Sequence, residues 1–312
     1  MVRIIANMSE LGAGTRGASL GFEALRMASF KRKRNFFKKH SPDVIQDENA
    51  LLYEDVNTPV AKRLSGIFKV YGRIETKIAE VIMEGEFPLV ISGDHSNAGG
   101  TIAGLKRAFP DDRIGVIWVD AHADIHSPYT SPTGNVHGMP LSTALSLNNE
   151  ECQVADVPEE TAQLWDSLKG ENPRIKPEDI VYIGVRDYEE PEEHLMKQLQ
   201  LRNITVEEFR KLGMDASLQV VMERLKDCDR IYVSFDVDSM DPEISRGTGT
   251  PVPGGLWQEE AKKLLLQLAK DPRLCCLEIT EINPVLDDKG NAMGEAAFDI
   301  LHALTVQLDK RK

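Results

Sequence analysis

Eight short apolar runs, rich in β-branched residues, recur along the chain near residues 2–6, 42–46, 88–92, 114–119, 180–184, 203–206, 230–235 and 273–279. Between many of them lie stretches with helical spacing: 72–85, 97–109, 191–200, 215–226, 257–270 and 294–309. The runs are continuous rather than alternating, as strands buried on both faces require. Strand and helix in alternation predict βαβ units, and therefore a mainly parallel sheet covered by helices on both sides. No Pro/Gly/Ser-rich linker, internal repeat or low-complexity tract divides the 312 residues, so one domain spanning 1–312 is expected. The least patterned stretch, 148–178, reads as a surface excursion. Open parallel sheets bind ligands at the carboxyl ends of their strands, so the residues that follow each run carry the functional information.

Three of those ends are unusual. Asp120-Ala121-His122-Ala123-Asp124 follows Ile114–Val119; in an extended backbone, residues i, i+2 and i+4 face one side, which would bring Asp120, His122 and Asp124 together. Ser234-Phe235-Asp236-Val237-Asp238 follows Ile231-Tyr232-Val233, and Gly93-Asp94-His95 follows Pro88–Ile91. Singly, most of these have bland readings. Asp94 suits a helix N-cap, His95 a core or surface histidine, and Asp236 and Asp238 a strand-end turn before Asp241-Pro242. Together they do not, because several carboxylates cannot share a small site unless cations neutralise them. Oxygen and imidazole donors without thiolate suit Mn, and less specifically Zn, Fe, Co or Ni. More than four such donors exceed the needs of one tetrahedral zinc. Two ions sharing carboxylates, and converting a shared water to hydroxide near neutral pH, are the economical expectation.

Composition narrows the partners. The chain is 41% apolar and 28% charged, as soluble globular proteins are, and its net charge of −13 argues against nucleic acid. Cys152, Cys228, Cys275 and Cys276 show no CxxC spacing, and the adjacent pair sits in an apolar run. Packed thiols in a reducing compartment are expected. With no signal-like N-terminus and no bilayer-length apolar run, a cytoplasmic protein without membrane partners is expected. The basic cluster Lys31-Arg32-Lys33-Arg34 with Lys38-Lys39 reads as a solvated helix face.

The segments Gly93-Asp94-His95-Ser96, Asp120–Asp124 and Ser234–Asp238 resemble the three signatures of the ureohydrolases (arginase, agmatinase and relatives), and the resemblance runs from Leu11-Gly12-Ala13-Gly14 to the C-terminal helix. It implies a three-layer α/β/α sandwich of about eight strands and a site with two Mn ions. One ion would be held by His95, Asp120, Asp124 and Asp236, the other by Asp120, His122, Asp236 and Asp238, with Asp120 and Asp236 bridging. It further implies that Glu281, in Glu281-Ile282-Asn283-Pro284, holds a substrate guanidinium, that His137 shuttles the proton, and that Thr250 stands beside the acid. Assembly as a homotrimer or homohexamer is implied as well.

The loop Ser131–Pro140 looks like that of arginases, with Ser131, Thr133 and Asn135 placed to bind an amino-acid carboxylate. Tyr182–Asp187 resembles the lead-in to the acid that binds the α-amino group, here Glu189 or Glu190 with one extra residue before Glu193-His194. L-Arginine hydrolysis to ornithine and urea is therefore expected. Four departures bear on the environment of that site: Ser92 in place of a glycine, Asn97 in place of an apolar residue, His126 where arginases carry a carboxylate-binding asparagine, and glutamate in place of aspartate at 189 or 190. The alternatives are another amidino- or formimino-hydrolase (formimidoylglutamase, agmatinase or a guanidino-acid hydrolase), a non-catalytic metal-binding homologue, and a single-zinc deacetylase-like hydrolase.

Overall fold

The computed structural model describes residues 1–56 and 58–311. All eight expected strands form: β1 Val2–Asn7, β2 Asp43–Ile45, β3 Phe87–Ser92, β4 Ile114–Val119, β5 Ile180–Ile183, β6 Arg202–Ile204, β7 Arg230–Asp236 and β8 Leu274–Thr280. They make one sheet in the order β2-β1-β3-β8-β7-β4-β5-β6, with every neighbouring pair parallel. The α-helices are α1 Gly21–Lys31, α2 Phe36–Lys39, α3 Leu64–Met83, α4 Ala98–Ala108, α5 Pro140–Leu145, α6 Glu159–Lys169, α7 Glu190–Gln198, α8 Val206–Leu212, α9 Met214–Arg224, α10 Gln258–Leu268 and α11 Ala292–Leu308.

Two helical layers follow from the pleat. Along β4, Ile117 and Val119 join a core with α1, α10 and α11, while Val116 and Trp118 join one with α3 and α4. On α3 the residues Val70, Ile74, Ile78 and Val81, spaced by three and four, bury one stripe against that second face. The result is the three-layer α/β/α architecture. No described helix is long and apolar enough to cross a membrane.

The stretch 148–178 is not merely an excursion. It contains α6, whose Trp165 is fully buried against Leu64, Ile67 and Tyr71 of α3, with its indole N–H donating to Asn148 Oδ1 at 3.0 Å. The basic cluster closes the end of α1, where Lys31 pairs with Glu295 and Arg32 with Asp299 of α11, the latter at 2.8 Å. All four thiols are free; burial pushes those of Cys228 and Cys275 up to about 12 and that of Cys276 well above its usual range. Because the thiolate is the nucleophile, iodoacetamide at pH 7.5 should label native protein at the half-buried Cys152 alone, as read by peptide mass spectrometry.

Candidate metal centre and substrate cavity

Five neighbouring strands, β3, β8, β7, β4 and β5, deliver the candidate residues, all at their carboxyl ends. One local device recurs. The first aspartate of each motif accepts a hydrogen bond from the backbone two residues on: Asp94 Oδ1 from Ser96, Asp120 Oδ1 from His122 and Asp236 Oδ1 from Asp238, each at 2.8 Å. These Asx turns end the strands and tilt the chain into the site. Asp94 spends its other oxygen on the Gly12 N–H at 2.9 Å, so it is a structural cap and its neighbour His95 enters the cluster. Gly12 cannot carry a side chain there, because a Cβ would lie 2.7 Å from Asp94 Oδ1.

Asp120 and Asp236 instead aim Oδ2 at His95. Its Nδ1 lies 2.9 Å from Asp120, 2.9 Å from Asp124 and 3.1 Å from Asp236. His122 Nδ1 lies 3.0 Å from Asp238 and 3.5 Å from Asp120. The segment Asp120–Asp124 does not converge through an extended backbone as expected. It bends directly after β4, and Asp124 adopts φ 50, a left-handed conformation costly for a residue with a Cβ. Glu281 does likewise at φ 65. Of the eight described non-glycine residues with positive φ, these two belong to the site.

The electrostatics reflect crowding. Burial raises the pKa values of Asp124, Asp236 and Asp238, and the neighbouring aspartates raise them further. Burial acts the same way on Asp120, but the close approach of the His122 and His95 imidazoles outweighs it and holds that carboxyl well below its usual range. His95 Nδ1 and Asp120 Oδ2 are buried and, despite their 2.9 Å approach, neither has a partner in hydrogen-bond geometry. Both point at a shared space. His95, Asp120 and Asp236 form one group able to hold a cation, and Asp120, His122 and Asp238 a second. A hard or borderline divalent pair fits this donor set.

A cavity of about 270 Å³ opens over the cluster. Its inner wall includes Asp124, Asp236, Asp238, His122, His137 and Glu281. His137 Nδ1 is 3.1 Å from Glu281 Oε1. Burial alone would lower the pKa of His137, but this bond and the Glu281 charge raise it to about 9. Thr250 lines the same cavity as Glu281 and donates to Asp238 Oδ2 at 3.3 Å; a Cβ on the adjacent Gly249 would lie 3.5 Å from Glu281 Oε2.

The mouth brings together Ser131, Thr133, Asn135, His126 and Glu189, as expected. Gly134 allows the loop its turn: φ is +69, and a Cβ would lie 1.9 Å from the Pro59 carbonyl oxygen. His126 Nε2 is 3.0 Å from Glu189 and 3.4 Å from Glu192. Glu190 is exposed at the start of α7 and is not among the lining residues. Three contributors were not anticipated. Asp187 lines the mouth; Glu192, buried and forming a capping box with Glu189, does so too; and Ser234 contacts His95 Nε2 at 2.7 Å. The Glu189-x-x-Glu192 spacing at a helix start was the available signal for Glu192. Of the departures, Ser92 donates to Glu278 at 2.5 Å, and Asn97 donates to the carbonyls of Ser9 and Asp94 at 3.1 and 2.8 Å. Both are internal supports.

Comparisons with known proteins agree with this geometry. A sequence model described as "Arginase family" matches residues 2–306. The arginase of Bacillus subtilis (strain 168) is 32% identical over 303 residues, covering 97% of each chain. Human arginase-1 is 36% identical over 278 residues, covering 86% of this chain and 81% of that one. The crystal structure of Entamoeba histolytica arginase in complex with L-ornithine superposes with a TM-score of 0.83 at 28% identity, covering 97% of both chains. An eight-stranded parallel sheet, a donor cluster suited to two cations and a family match over nearly the full length lead to one conclusion: the chain belongs to the arginase family and is an arginase-like ureohydrolase.

Proposed function

We propose that this protein hydrolyses the guanidinium group of L-arginine to L-ornithine and urea, using two Mn ions held by the aspartate–histidine cluster. The observation that carries the reading is the meeting, in one cavity, of that cluster with a buried carboxylate, Glu281, and a proton-bearing imidazole, His137. His95, Asp120, Asp124 and Asp236 would hold one ion, and Asp120, His122, Asp236 and Asp238 the other, with Asp120 and Asp236 shared; Co, Ni, Fe or Zn would suit the same donors. The bound pair supplies hydroxide at neutral pH.

The chain's own residues do the rest. Glu281 accepts the guanidinium N–H groups and fixes the electrophilic carbon over the cluster, an advantage of proximity. Its hydrogen bond occupies His137 Nδ1, leaving Nε2 to hand a proton to the departing amine. At the mouth, Ser131, Thr133 and Asn135 offer hydroxyls and an amide to a carboxylate. Lys62 engages Asn135 Oδ1 at 3.4 Å, which leaves the amide nitrogen as the free donor. Glu189, held acidic chiefly by its hydrogen bond with His126, supplies the charge for an α-ammonium.

The pairing of His126 with two glutamates favours a second reading, a different guanidino or formimino substrate, because an imidazole engaged in this way presents another shape than the asparagine it replaces. The Mn-loaded protein assayed for urea release from arginine and agmatine, and for formamide release from formimidoylglutamate, decides between them. Turnover of arginine above the others is expected; urea from agmatine alone, or formamide alone, would overturn the arginine reading. His137→Ala should keep both metals and slow turnover by about 10²–10³-fold, the lower part of the range for a positioned acid. The expected effect is in the lower part because the position is partly open to water, which can deliver the proton less well. Unchanged turnover would remove His137 from the mechanism. We further propose a single domain over residues 1–312, a cytoplasmic location and a homotrimer or homohexamer, on the free thiols and the family resemblance.

A further inference from the structure

The loop at the cavity mouth offers protons to an anion. Ser131 Oγ accepts from the Gly134 backbone N–H at 3.0 Å, and Thr133 Oγ1 accepts from that of Asn135 at 3.2 Å. With an acceptor site spent on the backbone, each hydroxyl keeps its hydrogen to donate. The cavity itself is hostile to an anion. Seven carboxylates line it, with no lysine or arginine. Two of them, Asp187 and Glu189, stand at the same mouth. Like charges brought close in this way oppose an incoming carboxylate, and neutral donors alone must overcome them.

One ammonium touches that loop. Lys62 donates its backbone N–H to the Gly134 carbonyl at 2.8 Å, which ties its main chain to the turn. Its Nζ donates to Asn135 Oδ1 at 3.4 Å. Among the described residues this is the one hydrogen bond of the side chain, and Lys62 forms no ion pair. The neighbouring cations spend their donors on backbone. Arg63 donates to the Leu51 carbonyl at 3.3 Å, and Arg16 to the carbonyls of Ala13 and Thr15 at 3.0 and 2.8 Å. Gly14 leaves the Asn135 amide its room, since a Cβ there would lie 2.7 Å from Nδ2. An ammonium has donors only, so the amide atom that faces it is the carbonyl oxygen, and Nδ2 is left to donate. The same ammonium places a positive charge one amide's width from whatever Nδ2 binds. The contact is part-buried, where solvent screens less than in bulk water.

We infer that Lys62 determines specificity, acting through Asn135 to favour substrates that carry a carboxylate over those that lack one. It is a positioning residue, because it lies outside the cavity lining and reaches the substrate through the amide it orients. The inference rests on the reading of Ser131, Thr133 and Asn135 as the carboxylate subsite. Lys62 touches neither Glu281 nor His137 nor the aspartate–histidine cluster, so its contribution belongs to binding and falls on KM rather than on kcat.

Two variants of the Mn-loaded protein test it. Lys62→Met keeps an unbranched stem and removes the charge and the donor, whereas Lys62→Arg keeps both. Lys62→Met should raise KM for L-arginine by about 5–20-fold, the scale of one partly screened charge, with kcat changed by less than about twofold. Lys62→Arg should bring that KM back to within about threefold of the wild type. Agmatine, as substrate or as competitor, should bind the wild type and Lys62→Met alike. Calorimetry should show L-ornithine bound more weakly by the same factor in Lys62→Met, and putrescine, its counterpart without the carboxylate, bound equally. Added salt should narrow the arginine difference, as it does for charges open to solvent. An arginine KM that stays unchanged in Lys62→Met, or one that rises together with that of agmatine, would overturn the role of Lys62 and leave the arginine reading in place. A wild type that hydrolyses agmatine alone would overturn both, because no carboxylate is then recognised. Formamide release from formimidoylglutamate alone would overturn the arginine reading, and the same KM comparison on that substrate, which also carries carboxylates, would then decide the role of Lys62.

Discussion

Asp120→Asn should reduce bound metal from two ions per chain to one or none and lower turnover by about 10³-fold. The substitution keeps the side chain's shape but turns one of its two acceptors into a donor. Both acceptors are in use: Oδ2 faces His95 Nδ1 at 2.9 Å, and Oδ1 holds the His122 backbone N–H at 2.8 Å. Asp120 is also common to the His95 and His122 groups able to hold a cation. Whichever way the amide turns, one group loses an oxygen or the turn after β4 loses its bond. Losing the electrophilic assistance of an ion removes several kcal/mol of transition-state stabilisation, and about 4 kcal/mol corresponds to the stated factor. Metal analysis by plasma mass spectrometry checks the count; two full equivalents in the variant would remove Asp120 from its shared position. A melting curve separates this from a folding defect. Without metal, the variant should still melt in one cooperative step, at a somewhat lower temperature, because the attraction of Asp120 to His122 and His95 that holds its carboxyl low is lost. The stabilisation gained on adding metal, about 2.7 kcal/mol at a hundred times the dissociation constant, should shrink.

That the donor types were legible in the sequence has a physical basis. Strands buried on both faces must be apolar throughout, so β4 ends abruptly at Val119 and an acid at Asp120 stands out against it. The same contrast exposes Asp236 after Phe235 and His95 after β3. The route by which these side chains meet was not legible. The left-handed backbone of Asp124 and Glu281 is imposed by tertiary contacts, such as the Glu281 N–H donating to the Gly93 carbonyl at 3.0 Å. Local sequence does not encode it.

Helices escaped notice where little of their surface is buried. On α6 only Thr161, Trp165 and Leu168 are covered, a stripe too sparse against eight more polar or exposed positions to show a period. Buried acids escaped for a different reason. Glu192 reads as one of several glutamates at a helix start, and Glu278 as a polar break in a strand; only the fold reveals that each is enclosed. Ser92 and Asn97, which looked like departures from the pattern around His95, prove to hold up Glu278 and the turn at Asp94, so the change of residue type alters the support behind the cluster rather than the cluster.

Glu281→Gln should cost more than removal of His137, close to 10⁴-fold in kcat/KM with both metals retained. Glu281 is placed to do two things. One oxygen, Oε1, accepts from His137 Nδ1 at 3.1 Å and from the His95 backbone N–H at 3.2 Å, while the carboxylate charge remains available to a cation in the cavity. Burial works against that charge, and the hydrogen bond and charge of His137 outweigh it, so Glu281 stays ionised below its usual pKa. The amide is neutral and offers one acceptor, which either His137 or the guanidinium can use. Removing one partner of a buried, hydrogen-bonded charge pair costs up to about 5 kcal/mol, which gives the stated factor. The sign of the accompanying pH effect follows. Glu281 raises the pKa of His137 to about 9, so in the variant the imidazole should lose its proton at lower pH, and the alkaline limb of the rate profile should move down. A kcat/KM within tenfold of the wild type, or an alkaline limb that stays in place, would show that the guanidinium is anchored elsewhere and that His137 takes its basicity from another group.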